Sequence, residues 1–430
     1  MSSAKFLFMA LAATMPAWPV LSTLAADAGD WTLESATRRV LQMAPERRAA
    51  EAEIAARAAE LRQAGSWPNP SVNLRSDDKL GQEDGRGGTD LTRAGISQPL
   101  PLRRLARQRT AAEAALRGAE AGGRAQQLEL EQETARAFHA LQLAAARFKL
   151  AQDRLALAAD TPYSNGDRAG GRAKHDPLVR YLTPLERRRL AILREEAQQG
   201  LLTAEREHEK AQTGFRALLG LPPDAPVTLA PLAPPAAPPA LAELERDLGI
   251  HPTVTASRQE VESARAGIAV AESQRFADPE LGVFRERDFL NGARRDATAV
   301  ELTVQIPLWN LNRGPVDKAK AEVMRAQANL AVLQRDAASR LRQSYTELTR
   351  LMEQVERMRA HLLDPAREVL DLTRRAFAAG EANILALVDA NNTHFDAQAR
   401  YLETLKDGAL AAAGLRLAAG RSIVAGEVTP

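Results

Sequence analysis

Cysteine is absent from the 430 residues. Disulfide bonds, thiolate metal ligands, catalytic thiols and a lipid-modified N-terminal cysteine are therefore excluded. Aromatic residues are scarce at 4%, and the net charge of +2 gives no general case for nucleic-acid binding. Past the N-terminal region, no segment is apolar enough for a membrane-spanning helix. If the chain crosses a membrane, it must do so with strands.

Motifs that carry chemistry are also missing. The sequence has no nucleophile–base constellation and no Gly-rich phosphate loop. Its six histidines are scattered without metal-ligand spacing: His139, His175, His208, His251, His361 and His394. The sequence therefore predicts no enzyme activity, no cofactor and no resident metal.

The N-terminus has the features of a cleaved signal peptide. Lys5 precedes an apolar stretch that is followed by small residues typical of a signal-peptidase site. The alternative is a single membrane anchor, but Pro16 and Pro19 interrupt the stretch. We expect residues 1–28 to be removed and the mature protein to leave the cytoplasm.

The rest of the chain is organised as two similar halves. Residues 29–220 and 242–421 share one order of elements, a Pro/Ala linker joins them at 221–241, and residues 422–430 form a tail. We interpret the halves as an internal duplication of a helix–hairpin–helix–helix unit. Helices are predicted over 32–66, 103–159, 184–220, 253–275, 315–377 (with a kink near Pro365) and 382–420.

Amphipathic strands interrupt the helices. Residues 299–310, AVELTVQIPLWN, alternate apolar and polar side chains with the period of a half-exposed strand. Strand hairpins are predicted at about 70–99 and 279–307, with strands of about ten residues, long enough to cross hydrocarbon when tilted. The apolar face would meet lipid.

The polar face of these strands would line an aqueous lumen. On the last strand the lumen-facing residues are Glu301, Thr303 and Gln305, and Arg75 and Arg93 in the first hairpin also need the lumen side. Three aromatic residues stand where the strands meet the helices, as membrane-interface aromatics do: Trp67, Phe276 and Trp309.

The number of strands requires more than one chain. Two hairpins give four strands, whereas the smallest membrane barrels use about eight, and unpaired edges are not tolerated in lipid. Two copies would give eight strands and three would give twelve. The long helices carry heptad seams and would extend roughly 85–95 Å from the sheet. An oligomeric barrel above a helical tube predicts a conduit.

The layout resembles the TolC family of outer-membrane efflux channels over essentially the whole mature chain. The resemblance implies a mainly α fold with a small β part, in which a homotrimeric twelve-stranded β-barrel continues as an α-helical periplasmic barrel. It also implies docking to a periplasmic adaptor (a membrane fusion protein) and an inner-membrane RND pump. The segments that carry the resemblance are 31–61, WPNPSV (67–72), ISQPL (96–100) and AFAAGEANILALVDANNTHFDAQARYLETL (376–405).

A narrower resemblance concerns the exported substrate. Residues 304–323, VQIPLWNLNRGPVDKAKAEV, are similar to the segment after the fourth strand in outer-membrane subunits of cobalt–zinc–cadmium efflux systems. This resemblance implies heavy-metal cations as substrate. Drug-efflux relatives also carry Pro-Leu followed by a basic, Gly-containing turn, so drug export remains open.

The resemblance also implies a gate where the helices turn back in the periplasm. Asp389 is similar to the family's aperture carboxylate, and three copies would form a ring that favours cations. Phe377 stands where relatives often have the tyrosine of a gating link, and it has no hydroxyl group to form that link. Gly380, Glu381 and Tyr163 complete the predicted aperture.

The first periplasmic turn departs from the family pattern. Residues 160–190 are basic, broken by glycine and several residues longer than the pattern requires. The next helix begins at either Asp176-Pro177 or Thr183-Pro184, since proline suits the first helical turn in both cases.

The leading interpretation is a passive outer-membrane exit duct of a tripartite efflux pump, located in the outer membrane with its helices in the periplasm. A drug-efflux or type I protein-secretion duct would use the same tube. The alternatives of another class are a periplasmic adaptor and a structural coiled-coil protein. Adaptors carry β-rich segments on both flanks, whereas this sequence has only two short hairpins. A structural coiled-coil protein would not need paired amphipathic hairpins.

Overall fold

The computed structural model describes residues 30–76, 92–160, 183–290 and 293–424. The predicted signal peptide, Tyr163 and the alternative helix start at Asp176-Pro177 lie outside these ranges. No helix in the described ranges is both long enough and apolar enough to cross a membrane.

The described chain is mainly helical, and the predicted helices are confirmed with small shifts at their ends. The helices are α1 (Leu33–Met43), α2 (Pro45–Ala64), α3 (Arg104–Asp160), α4 (Pro184–Leu219), α5 (Leu241–Asp247), α6 (Pro252–Ser273), α7 (Arg313–Met358), α8 (Asp364–Ala378) and α9 (Ile384–Ala418). The strands are β1 (Ser71–Ser76), β2 (Thr92–Pro99), β3 (Glu280–Leu290) and β4 (Ala293–Thr303).

Proline residues lie at the breaks in the helices that the sequence predicted as continuous, and at the start of α4. The predicted helix over 32–66 is two helices, because Ala44 precedes Pro45 and adopts an extended conformation with ψ 127°. The kink predicted near Pro365 is a π-helical turn, Arg359–Leu363, between α7 and α8. Pro184 opens α4 after Thr183, whose side chain caps the helix in a capping box with Glu186.

The four strands form one antiparallel sheet in the order β1-β2-β3-β4. Val72, Ile96, Val283 and Val300 stand opposite one another across the sheet, and all four are exposed. The exposed fractions of Val72 and Val300 reach 70% and 71%. The predicted apolar face is therefore present and is not covered by the described chain.

β4 ends earlier than its apolar–polar alternation predicts. The strand was expected to run to Ile306, but its last pair is Thr303 with Glu280. Pro279, the residue before Glu280, has no N–H to continue the ladder. Gln305 therefore lies past the strand, and only Glu301 and Thr303 of the predicted lumen set lie in β4.

The sheet continues into a layer of helices in the same order. α2 packs on α3, α3 on α6, and α6 on α7, so the four neighbours follow the order of the strands they adjoin. α3 alone, with 57 residues, is about 85 Å long. Away from the sheet, α4 packs on α3, α9 packs on both α3 and α7, and α8 packs on α9.

The Pro/Ala linker is packed against the helices although it has no regular structure of its own. Trp31 N donates to Thr228 O at 2.8 Å, and Gln142 Nε2 donates to Ala230 O at 2.7 Å. Leu229 adjoins a core cluster of α1, α3 and α4 that contains Phe138 and Phe215. The linker therefore packs against the helices and hydrogen-bonds to them.

Candidate functional site

The turn between α8 and α9 is built by glycine and asparagine. Gly380 adopts φ +78°, in the left-handed region that favours glycine, and its N–H donates to Phe377 O at 3.0 Å. Asn383 then caps α9, with its Oδ1 accepting from Ala386 N at 2.9 Å. Glu381 is exposed between these two positions. The sequence pattern at the predicted aperture therefore specifies a tight helical hairpin.

Phe377 fastens this hairpin to α4. Its half-buried ring packs against an apolar cluster formed by Leu190, Ile384 and Leu387. A phenylalanine can make this contact without a hydroxyl group, so the ring contributes apolar packing here.

Asp389 lies on α9, about one turn beyond the hairpin, and is exposed. It makes no ion pair with any other described residue. Asp389 and Glu381 therefore present two carboxylates to solvent at this end of the molecule.

A partly buried polar cluster lies behind the predicted aperture, and sequence reasoning missed it. Arg154 Nη2 of α3 donates to Asn392 Oδ1 at 2.7 Å, and its guanidinium lies 5.8 Å from the centre of the Phe395 ring. His394 is buried, and burial is the main cause that lowers its pKa. The heptad pattern of α3 gave no sign of Arg154, because its partners are more than 230 residues away in the sequence.

The polar face of the sheet carries a second cluster. Phe284 lies flat across Gly95 and Gly282, where an added Cβ would come within 2.3 Å of its ring. The Arg93 guanidinium lies 3.7 Å from the centre of the same ring and pairs with Glu286 and Glu301. Arg93 and Glu301 thus share a face, as predicted, whereas Phe284 was not anticipated.

A hydrogen-bonded group lies next to this cluster. Ser97, which is buried, has its Oγ 2.7 Å from Ser71 Oγ, and it accepts from Asn73 Nδ2 at 2.9 Å. The described polar face thus combines ion pairs and hydroxyl groups.

The three predicted interface aromatics lie where the sheet meets the helices. Trp67, Phe276 and Trp309 are exposed by 59%, 56% and 92%. The Arg275 guanidinium lies 5.5 Å from the centre of the Phe276 ring. Their role as membrane-interface aromatics stays a prediction.

The described residues contain no group of three or more histidine, aspartate and glutamate side chains that could hold a metal ion. The arrangement is a long helical layer, a sheet with an uncovered apolar face, and carboxylates at the far hairpin. The sequence model of the outer membrane efflux protein family matches residues 36–162 and 244–421 of this chain. The chain belongs to the outer membrane efflux protein family.

Individual relatives agree with this family. The cobalt-zinc-cadmium resistance protein CzcC of Cupriavidus metallidurans is 25% identical over 387 residues, which cover 88% of this chain and 87% of CzcC. This efflux protein also shares its fold with solved structures. CusC matches with a TM-score of 0.71 at 16% identity, over 93% of this chain and 96% of CusC. VceC of Vibrio cholerae matches with a TM-score of 0.72 at 17% identity, over 91% and 96%.

The resemblance to the TolC family drawn from the sequence is thereby confirmed at the level of family and fold. The family model and the solved structures describe outer-membrane proteins and channels rather than enzymes. The roles of individual aperture and lumen residues stay predictions.

Proposed function

We propose that the protein is a passive exit duct of a tripartite efflux pump, formed by three copies of the chain in the outer membrane. The observation that carries the proposal is the continuous order of four strands and four helices beneath an uncovered apolar sheet face. Three copies would join these layers into a twelve-stranded barrel and a helical tube. The tube would extend into the periplasm.

The partners follow from this placement. A passive tube has no means of energising transport, so an inner-membrane RND pump would supply the energy and a periplasmic adaptor would join pump to duct. The hairpin between α8 and α9 is the end of the described chain farthest from the sheet and is the proposed docking and gating end. The family assignment favours this role over the adaptor and coiled-coil alternatives.

Asp389 is the proposed selectivity residue of the aperture. In a trimer its exposed carboxylate would occur three times around one axis and attract cations while opposing anions. Phe377 and Gly380 would hold the hairpin that presents it, and Glu381 would add charge at the turn.

Planar-bilayer conductance of the purified protein tests both the duct and the ring. We expect discrete cation-selective openings in the wild type and a clear loss of selectivity in Asp389→Ala. Glu209→Ala, an exposed carboxylate in the middle of α4, is the control and should leave selectivity unchanged. If Asp389→Ala opens with the same selectivity as the wild type, the proposed carboxylate ring is wrong. If the folded, membrane-extracted oligomer shows no channel activity, the proposed duct is wrong.

Heavy-metal cations are the proposed substrate. The similarity to CzcC and the segment 304–323 support this choice over drugs or proteins. A strain lacking the gene should lose tolerance to cobalt, zinc or cadmium and regain it with the wild-type gene. If tolerance to metals is unchanged while tolerance to organic drugs falls, the duct serves drug efflux instead.

A further inference from the structure

A cleft of about 870 Å³ lies where the sheet joins the helices. Its walls are the first turns of α3 and α7, the last turn of α6 and the segment after β4. The cleft is separate from the predicted aperture, which lies at the opposite end of the helical layer.

Basic side chains dominate this cleft. Six basic and three acidic residues line it in the described chain. Two of the cations are paired inside it, since Arg104 binds Asp278 at 2.7 Å and Lys320 lies 3.4 Å from Asp317. The remaining carboxylate, Glu272, is exposed, and it lines the cleft together with four further arginines: Arg103, Arg107, Arg275 and Arg313. The cleft therefore has a surplus of positive charge.

Three of these arginines lack an acidic partner. Arg103, Arg275 and Arg313 are exposed, and no described carboxylate forms an ion pair with any of them. Arg107 is held differently, because its Nη1 donates to Ala269 O at 2.7 Å. The guanidinium groups of the first three are thus available to a ligand.

The helix ends strengthen the preference for an anion. α3 and α7 both begin at this cleft, with Arg104 and Arg313 as their first residues. Neither helix has an acidic residue in its first turn, although the free N–H groups and the helix dipole favour negative charge there. Arg104 at the start of α3 is already paired with Asp278, whereas Arg313 at the start of α7 has no described carboxylate partner, so the start of α7 favours an anion from outside the chain.

The cleft is also continuous with the apolar face of the sheet. Leu102, Phe276 and Val304 line it and are exposed by 73%, 56% and 55%. Val304 lies just past the end of β4, two residues after Leu302, which is one of the exposed apolar residues of that strand. A ligand that fits both parts has an anionic head and an apolar tail.

We propose that this cleft binds the phosphodiester headgroup of an anionic phospholipid in the membrane leaflet at the sheet–helix junction. Arg103, Arg275 and Arg313 bind the phosphate, a geometry that guanidinium groups suit. The acyl chains lie along Val304 and the apolar face of the sheet. The inference rests on the proposed membrane position of the sheet, and it assigns the protein a lipid site that the transport pathway does not use.

Native mass spectrometry of the detergent-purified, delipidated protein tests the site. The probes are dioleoylphosphatidylglycerol, dioleoylphosphatidylcholine and inorganic phosphate. The variant is the triple substitution R103Q/R275Q/R313Q. The control, R48Q/R206Q/R335Q, removes the same charge from exposed helix positions away from the cleft. We expect the phosphatidylglycerol affinity to fall roughly 10- to 100-fold in the variant and to stay unchanged in the control.

Other outcomes overturn the lipid site. Equal phosphatidylglycerol affinity in variant and wild type would do so, as would preference for phosphatidylcholine or full displacement of the lipid by inorganic phosphate. Bilayer conductance separates this failure from failure of the duct, because the triple variant should keep wild-type conductance and selectivity. If its selectivity changes while lipid binding does not, the cleft faces the pore and the proposal is wrong.

Discussion

His139 shows at the scale of one residue how a buried side chain couples the helical layer to the linker. Its Nδ1 lies 2.8 Å from Gln142 Oε1, and Gln142 in turn donates to Ala230 O at 2.7 Å. Burial lowers the pKa of His139, and the nearby Lys406 lowers it further, while the hydrogen bond to Gln142 acts in the opposite direction. The imidazole is therefore neutral in the folded protein at neutral pH.

The depressed pKa predicts how stability depends on pH. The unfolded chain binds a proton near pH 6.5, whereas the folded chain binds it only at a lower pH. The stability that neutral His139 contributes is therefore fully present above about pH 6.5 and is lost progressively as the pH falls from there through the lower pKa of the folded state. We expect the melting temperature to fall between about pH 7 and pH 5. The fall should be smaller in His139→Gln, measured by circular dichroism. An identical pH dependence in both proteins would contradict the assignment.

Glu131 marks a limit of sequence reasoning at the same scale. It is fully buried, and its carboxylate accepts from Ser422 Oγ and from Ile423 N, both at 2.6 Å. These partners belong to residues that the sequence suggested were a tail. A charged residue within a helical repeat gives no sign of such contacts, because the partners lie about 290 residues later in the chain.

At the scale of elements, the pairing of β2 with β3 joins the two halves of the chain in one sheet. Phe284 fills the space above Gly95 and Gly282, and Arg93 covers its ring. Gly95 is opposite Phe284 in the register, so any side chain there competes with the ring for the same volume. The two glycines therefore keep an aromatic side chain flat against the polar face.

A pair of glycine substitutions tests this packing. In Gly95→Ala the new Cβ would lie 2.3 Å from Phe284 Cδ1 and 2.5 Å from Val283 O, so we expect a lower melting temperature. Gly122→Ala is the control, because that helical position has open space around it and alanine should stabilise the helix by about 1 kcal/mol. Thermal unfolding of the two variants should shift in opposite directions. If Gly95→Ala is as stable as the wild type, Phe284 does not fix this contact.

Much of the element structure was predictable because its signals are local. Heptad spacing marked α3 and α7, period-two alternation marked β4, and Pro365 marked the break before α8. The errors arose where distant residues decide. β4 stops at Thr303 because Pro279, just before β3, cannot donate to the ladder, and the linker packs because Gln142 hydrogen-bonds to it. Neither the end of β4 nor the packing of the linker can be read from the sequence of that segment alone.

The whole molecule is organised as a layer with two open edges. β1 and β4 are the outer strands of the described sheet, and each has one side without a strand partner there. Unpaired N–H and C=O groups are unfavourable in a membrane, and an exposed apolar face is unfavourable in water. In the proposed assembly, edge-to-edge association within a membrane would remove both problems, and four strands from each of three copies would close a twelve-stranded barrel.

The copy number of the membrane-extracted protein tests this account most directly. Native mass spectrometry of the detergent-solubilised particle should give three times the mass of the mature chain, with no stable monomer or dimer at the same protein concentration. That result would support the proposal that each chain supplies one third of a closed barrel and one third of the helical tube. A stable particle of one, two or four copies would contradict it, because the closure of twelve strands would then not be the reason for assembly.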